Sequence, residues 1–262
     1  MTTRAVAAGG IRWAVSDALA LTWRNLLTIR RLPQLLVFAT VQPLLFVLMF
    51  RYVFGGAIRV PGVDYVNYLM PGIFAQVVAF GAINTGVGLA EDSRHGLIER
   101  LRSLPMARSA VLAGRTLADL ARNVFVVLLM LGVGFAVGFR LQTDVGRLVL
   151  GLLVLLAFGF ALSWVFALIG LSVASAESAQ AASFPLLLPL VFASSAFVSP
   201  ATMPGWLQPF AENQPVSVTV DAVRALVLGG PAAGKVLEAL AWSVGIVLVF
   251  GALAVRRYRR VA

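Results

Sequence analysis

The chain has no cysteine, one histidine (His95), and only 12% charged residues among its 262. Without cysteine there is no disulfide framework, no thiolate nucleophile and no thiolate metal or iron–sulfur site. A Ser-His-Asp relay would have to rest on His95, which sits in the charged run Glu91-Asp92-Ser93-Arg94-His95 with no second histidine to assist it. Soluble domains carry about 25% charged and roughly 45–50% apolar residues. Here the apolar share is 60%. So little polar surface cannot coat a water-facing globule, which excludes an ordinary soluble enzyme. The same hydrophobicity excludes a disordered chain.

What charge there is leans one way: 21 basic residues against 11 acidic, a net +10. A basic balance fits nucleic acid, or a membrane protein whose basic residues mark its cytoplasmic loops; position decides between them. Uncharged runs fall at 32–50, 65–90, 123–139, 148–176, 178–211 and 239–255. A helix needs about 20 mostly apolar residues to cross the hydrocarbon core. The short third and sixth runs are flanked by Arg122, Arg140 and Arg256, whose stems can snorkel. The fifth contains Pro185, Pro189, Pro200, Pro204 and Pro209, so it reads as a span over about 181–199 followed by irregular chain. The expectation is an all-α integral membrane protein with six spans, over about 33–54, 65–90, 123–139, 148–174, 181–199 and 236–255.

With six spans, the N-terminal segment, the 91–122 loop and the C-terminal tail share one side and hold 15 of the basic residues, leaving six on the other. Both termini are therefore expected to be cytoplasmic, and no nucleic-acid partner is expected. Arg12, Asp17, Arg24, Arg30 and Arg31 interrupt every candidate apolar core of a secretory signal. Read as a helix, residues 11–31 place Ile11, Val15, Leu19, Leu26 and Ile29 on one face and Asp17, Arg24 and Arg31 roughly opposite, which predicts a helix lying in the cytoplasmic interface. A helix packed on a soluble partner domain is the alternative.

Two segments could carry function. The 91–122 loop holds four of the eleven acids, six arginines and the histidine. Within it Leu97, Ile98, Leu101 and Leu104 share a helical face, Glu99 and Arg102 lie one turn apart, and Pro105 stops the helix. Such a helix is suited to press on another protein; a solvated connector is the plainer reading. A second helix capped by Ser109 and feeding the third span would stack Arg115, Asp119 and Arg122 along one side. On the other side of the membrane, the chain from Ser199 to Pro215 is broken by Pro200, Pro204, Gly205, Pro209 and Pro215, with Trp206 and Phe210 placed as interfacial anchors. Residues 217–228 form a further short helix, ended by Gly229-Gly230-Pro231. An ordinary extracellular loop is the plainer reading here.

Residues 229–235 match a phosphate-binding loop up to Lys235, but Val236 replaces the hydroxyl residue that would hold magnesium. No cofactor site is expected on this chain. The runs contain no charges, only neutral polar groups such as Thr40, Gln42, Gln76, Asn84, Ser163, Ser194 and Ser195, whereas ion-driven carriers bury ionisable groups in their spans. Gln42 and Ser194 are candidates to line a substrate path or to kink their spans; hydrogen bonding between helices is the plainer reading. Gly134 and Gly138 form a small-residue packing pair.

The order of an interfacial helix, six spans, a cytoplasmic helix after span two and a broken outer segment before span six resembles the permease subunits of type-2 ABC exporters. Gly96-Leu97-Ile98-Glu99-Arg100-Leu101-Arg102-Ser103-Leu104-Pro105-Met106 is similar to the coupling-helix region of that family. Phe197-Val198-Ser199-Pro200, Met203-Pro204-Gly205-Trp206-Leu207-Gln208-Pro209-Phe210, Asn213-Gln214-Pro215 and Ala222-Val223-Arg224-Ala225-Leu226 are similar to its outer signature, in wording nearest the daunorubicin-resistance branch. The resemblance implies a single transmembrane domain over 1–262 with coupling region 91–122 and a re-entrant outer segment 200–228. It further implies two copies of a cytoplasmic ATPase subunit that carry ATP and Mg, and a second permease subunit, the same or a related chain. Leu97, Ile98, Glu99, Arg100 and Arg102 would contact the ATPase, and Pro204, Trp206 and Pro215 would shape an outer gate. The substrate would be an amphipathic drug, antibiotic or lipid expelled across a bacterial cell membrane. A stand-alone carrier or channel, and a membrane enzyme using His95, remain the competing readings.

Overall fold

The computed structural model of the chain describes residues 33–56, 58, 62–95 and 108–261, together with Ala20, Thr22 and Trp23. Among the described residues all regular structure is helical. Helix α1 (Pro33–Leu48) runs on through a π-helical turn (Met49–Phe54). It is followed by α2 (Tyr65–Arg94), α3 (Arg108–Val137), α4 (Val145–Gly170) and α5 (Ala176–Phe192). Two short helices, α6 (Gln208–Asn213) and α7 (Pro215–Leu228), precede a last rod. That rod is α8 (Ala233–Ile246), a π-helical turn (Val247–Gly251) and α9 (Ala252–Val261).

Among the described residues four stretches are long and apolar enough to cross a membrane: Tyr65–Arg94, Leu112–Val137, Val145–Gly170 and Ala233–Tyr258. Two shorter apolar helices, Thr40–Phe54 and Ala176–Phe192, accompany them. Two features differ from the expected spans. Helix α3 is one continuous rod from Arg108, because Arg115, Asp119 and Arg122 are neutralised against α2 instead of ending the apolar segment. Helix α5 stops at Phe192, where the Ser194 hydroxyl donates to the Val191 carbonyl (2.6 Å) and diverts the chain. Of the expected interfacial helix over 11–31, only Ala20, Thr22 and Trp23 are described. Thr22 Oγ1 donates to the Gly114 carbonyl at 3.3 Å, which places Thr22 beside the first turns of α3.

Helix α2 is the hub. In its most apolar stretch 78% of the residues are buried inside the protein, against 11% for the last rod. It packs on α4 along most of its length and also touches α1, α3, α5 and α7. The α2–α4 contact depends on paired glycines: a Cβ on Gly86 would meet the Phe166 carbonyl, and one on Gly170 would meet the Gly86 carbonyl. Small residues at such crossings let backbones approach closely, which matters where lipid gives no hydrophobic drive to association. The last rod buries one stripe, Val236, Ala239, Ser243 and Ile246, and exposes Leu237, Trp242, Val244, Leu248 and Val249, the pattern of a helix between protein and lipid.

Caps fix the helix starts. Asp144 accepts from the Arg147 amide (3.0 Å), and that bond holds its carboxyl below the usual carboxylate range. Ser175 accepts from Ser178, and Gln214 Oε1 accepts from Val216 with Pro215 in the first turn of α7. Replacing Gly86 with alanine is expected to lower stability in detergent by about 1–3 kcal/mol through overpacking. Gly245→Ala, with open space around its Cα, should be neutral or slightly stabilising. Thermal unfolding followed by fluorescence checks both.

Candidate functional site

Three groups of side chains stand out along the α1–α2–α3–α5 wall. The first closes the end where α6 and α7 pack, here termed the cap end. After α5 the chain runs through 193–199 without regular structure, so its carbonyls need partners. Tyr68 Oη donates to the Ser195 carbonyl (3.0 Å) and Tyr65 Oη to the Phe197 carbonyl (3.3 Å). Arg224 of α7 donates to the Ser195 carbonyl (2.8 Å), the Tyr68 carbonyl (3.1 Å) and Asp221 Oδ1 (2.7 Å), and lies 3.7 Å over the Tyr68 ring. Asp221 also accepts from Ser195 Oγ (2.8 Å), and Lys235 stands 3.8 Å from its other oxygen. Gln214 Nε2 donates to the Leu190 carbonyl at 2.8 Å. Irregular backbone at membrane depth persists only when protein satisfies its polar groups, and here tyrosine, arginine and glutamine do so. A Cβ on Gly72 would meet the Ala196 backbone, so glycine lets this segment lie against α2.

Below the cap lies a phenylalanine cluster. Phe50 stacks on Phe197 (4.7 Å between ring centroids), Phe192 on Phe197 (5.4 Å), and Phe46 touches Phe192 and Phe197 at 6.2 and 6.4 Å. It seals α1 against the end of α5.

The second group lies at the opposite end, where α2 finishes and α3 begins. Asp119, almost fully buried, accepts from Thr85 Oγ1 at 2.6 Å. It stands 3.6 Å from Arg115 and 3.4 Å from Arg122. Arg115 also lies 3.8 Å from Asp92. Arg122 Nη2 donates to the Gly81 carbonyl (2.5 Å) and Arg115 Nη2 to the Asn84 carbonyl (3.3 Å). Two carboxylates and two guanidiniums thus form a neutral clamp joining α2 to α3, next to the 96–107 segment.

The third group lies between cap and clamp. A cavity of about 210 Å³ opens between α1, α2, α3 and α5. Five carboxamides line it: Gln42, Gln76, Asn84, Asn123 and Gln180, which are five of the chain's twelve Asn and Gln residues. Gln76 and Asn123 form its buried floor, each 2% exposed, whereas Gln42, Asn84 and Gln180 lie exposed at the rim. Phe80 and Phe184 pack on each other at its wall, ring centroids 6.1 Å apart and tilted by 56°, and Arg122 reaches the wall from the clamp. Among the described residues three buried side-chain polar atoms have no hydrogen-bond partner: Gln76 Oε1, Asn123 Nδ2 and Trp164 Nε1. Two of these belong to the cavity floor.

The residues singled out from sequence fall as follows. Gln42 is on the cavity rim. Ser194 sits at the end of α5, bonded to the Val191 carbonyl and the Ala196 amide. Pro204 lies in an exposed turn whose carbonyl accepts from Leu207 and Gln208, Trp206 is 80% exposed, and Pro215 opens α7. Leu97, Ile98, Glu99, Arg100 and Arg102 lie outside the described residues. The segment 229–235 joins α7 to α8, so a helix precedes it where a phosphate-binding loop needs a strand. The glutamine and asparagine ring around the cavity was not assembled from sequence; its signal was amides interrupting apolar runs, which mark polar residues without saying that they converge.

Residues 17–228 match the family model described as ABC-2 type transporter. The chain belongs to this family. It is similar to a daunorubicin resistance ABC transporter permease protein of Streptomyces coeruleorubidus, 37% identical over 246 residues, covering 94% of this chain and 87% of the relative. A probable doxorubicin resistance ABC transporter permease protein of Mycobacterium tuberculosis is 30% identical over 227 residues, covering 85% and 80%. A putative transport permease of Cyanophora paradoxa is 26% identical over 220 residues, covering 81% and 74%. The chain is thus a multi-pass membrane permease subunit of an ABC exporter, and ATP hydrolysis lies on a separate partner chain. The stand-alone carrier and membrane-enzyme readings give way to it.

For the permease clamp, Asp119→Ala leaves two guanidiniums facing each other without their shared carboxylate. It is expected to cost on the order of 3 kcal/mol, read as a fall in the unfolding midpoint of the detergent-solubilised permease. Thr85→Val, which removes one hydrogen bond, should cost about 1 kcal/mol.

Proposed function

We propose that this permease moves an amphipathic drug or antibiotic out of the cell, with the amide-lined cavity as the place where the substrate enters the protein. The observation that carries the reading is the cavity itself: polar amides and two paired phenylalanines enclosed by apolar helices, in a chain whose relatives are named for resistance to daunorubicin and doxorubicin. Ligand sites of this kind join an apolar wall to a few placed polar groups. The relatives' names point to drugs, and a lipid is the alternative substrate of similar chemistry.

In this reading the chain makes six crossings, with α1 and α5 as the two shorter ones, and residues 11–31 form a helix in the cytoplasmic interface. Both termini face the cytoplasm, because 15 of the 21 basic residues then fall on that side. The clamp end is cytoplasmic and the cap end external. Leu97, Ile98, Glu99, Arg100 and Arg102 dock on the ATPase, which binds ATP and Mg, in two copies beside two permease chains of one or two kinds. Closure of the ATPases pulls on the 96–107 segment, and the Asp119 clamp passes that movement to α2 and α3 as a unit. The phenylalanine cluster and the cap, with Pro204, Trp206 and Pro215 on its outer edge, form the barrier that opens outward. Gln42 lies on the path at the cavity, and Ser194 lies beyond the phenylalanine cluster where the path would leave.

The test is ATP-driven doxorubicin uptake into inside-out vesicles carrying this chain with its ATPase. Wild type should accumulate drug only with both chains and ATP, and Glu99→Ala with Arg102→Ala should lower uptake and co-purification together, at least fivefold. Uptake by the permease alone along an ion gradient would refute the reading. Single cysteines at Ser103 and Thr202 should label from opposite sides of intact cells; labelling from one side contradicts six crossings.

A further inference from the structure

Buried polar atoms in folded proteins almost always find a partner, and one left unpaired costs on the order of 1–3 kcal/mol. Apart from Trp164 Nε1, the buried side-chain polar atoms described elsewhere in this bundle are satisfied: Ser195 bonds Ser217 and Asp221 at the cap, and Asp119 is held by Thr85, Arg115 and Arg122 at the clamp. The cavity floor departs from that pattern. Gln76 Oε1, on α2, is an acceptor without a donor, and Asn123 Nδ2, on α3, is a donor without an acceptor. Both residues are 2% exposed and both line the same space. A Cβ on Gly81 would collide with the Asn123 carboxamide, so the neighbouring helix is cut away to let that amide stand where it does.

We infer that this floor is a head-group subsite that binds a neutral polar end bearing both a hydrogen-bond donor and an acceptor, such as a hydroxyl beside a carbonyl or a carboxamide. The inference rests on the exporter reading and specifies what its cavity recognises. The ligand's donor bonds Gln76 Oε1 and its acceptor takes Asn123 Nδ2. No carboxylate lines the cavity among the described residues, and the one cation on its wall, Arg122, is already paired with Asp119, so no formal charge on the ligand is demanded. Size sets the division of labour. Drug-sized ligands fill roughly 300–1,000 Å³, whereas this space is about 210 Å³. Only the polar end fits inside. The apolar body lies against the paired Phe80 and Phe184 rings and out over the rim, where Gln42, Asn84 and Gln180 are exposed. Exposed amides at membrane depth are costly against lipid and suit a water-lined or ligand-lined entrance.

The test uses the permease assembled with its ATPase in lipid nanodiscs and two probes. Doxorubicin carries hydroxyl and carbonyl groups; tetraphenylphosphonium is a lipophilic cation with no hydrogen-bonding group. Gln76→Met and Asn123→Leu, each close in size to the original, should weaken doxorubicin binding about tenfold and leave tetraphenylphosphonium binding within about twofold. The ligand-free unfolding midpoint should stay level or rise, since each change removes an unpaired buried atom. Gln76→Leu and Asn123→Val repeat the measurement with other shapes if a variant does not assemble. Unchanged doxorubicin binding in both positions, alongside intact ATP-driven transport, overturns the subsite and leaves the exporter reading standing. Equal loss for both probes with a lowered midpoint also overturns it, because the amides are then structural or merely hydrated. A wild type that neither binds nor transports doxorubicin overturns the drug-export reading and this inference with it.

Discussion

A polar group carried to membrane depth finds no water there, so every carbonyl, amide and charge must be answered by another part of the protein. The arrangement of this permease follows from that one constraint. The segment 193–199 can leave the helical path only because Tyr65, Tyr68, Arg224 and Ser217 meet its backbone groups. Asp119 can sit inside α3 only because Thr85 and two arginines surround it. In each case a charge or irregular turn that would break a lone span becomes a joint between two helices.

These joints divide the labour along the bundle. Helix α2, buried on nearly all sides, is tied to the broken cap segment at one end and to α3 at the other. Its glycines set the spacing: Gly86 for α4, Gly72 for the cap chain, Gly81 for the Asn123 amide. One continuous helix therefore connects the clamp to the cap, with the cavity between. That geometry suits a protein whose energy source lies on another chain and must be felt across the membrane.

Much of this was legible in the sequence, for reasons that can be named. Uncharged runs located α1, α2, α4 and the last rod because helix length and bilayer thickness are physically linked. Gly229-Gly230-Pro231 marked the end of α7 because breaking chemistry is local, whereas the helix begins two residues before the expected 217, at Pro215 capped by Gln214. Local signals carry the helix of α3 back to Ser109 but start its apolar span at 123, because its charges look like a boundary until α2 supplies partners. They also misjudge α5, whose end is decided by the Ser194 hydroxyl within an apolar stretch. The cavity was the least legible. Gln42, Gln76, Asn84, Asn123 and Gln180 are spread over four helices, and nothing in their spacing says that they converge.

The central claim is that the amide-lined cavity holds substrate in one state of the ATP cycle and releases it in another. Because the chain has no native cysteine, Val87→Cys, on the cavity wall, gives a single reporter thiol. The rate at which a thiol reagent modifies it, in the assembled transporter, should fall when doxorubicin is added without nucleotide. With ATP and vanadate the drug should no longer protect. A rate indifferent to the drug in both states would contradict the account.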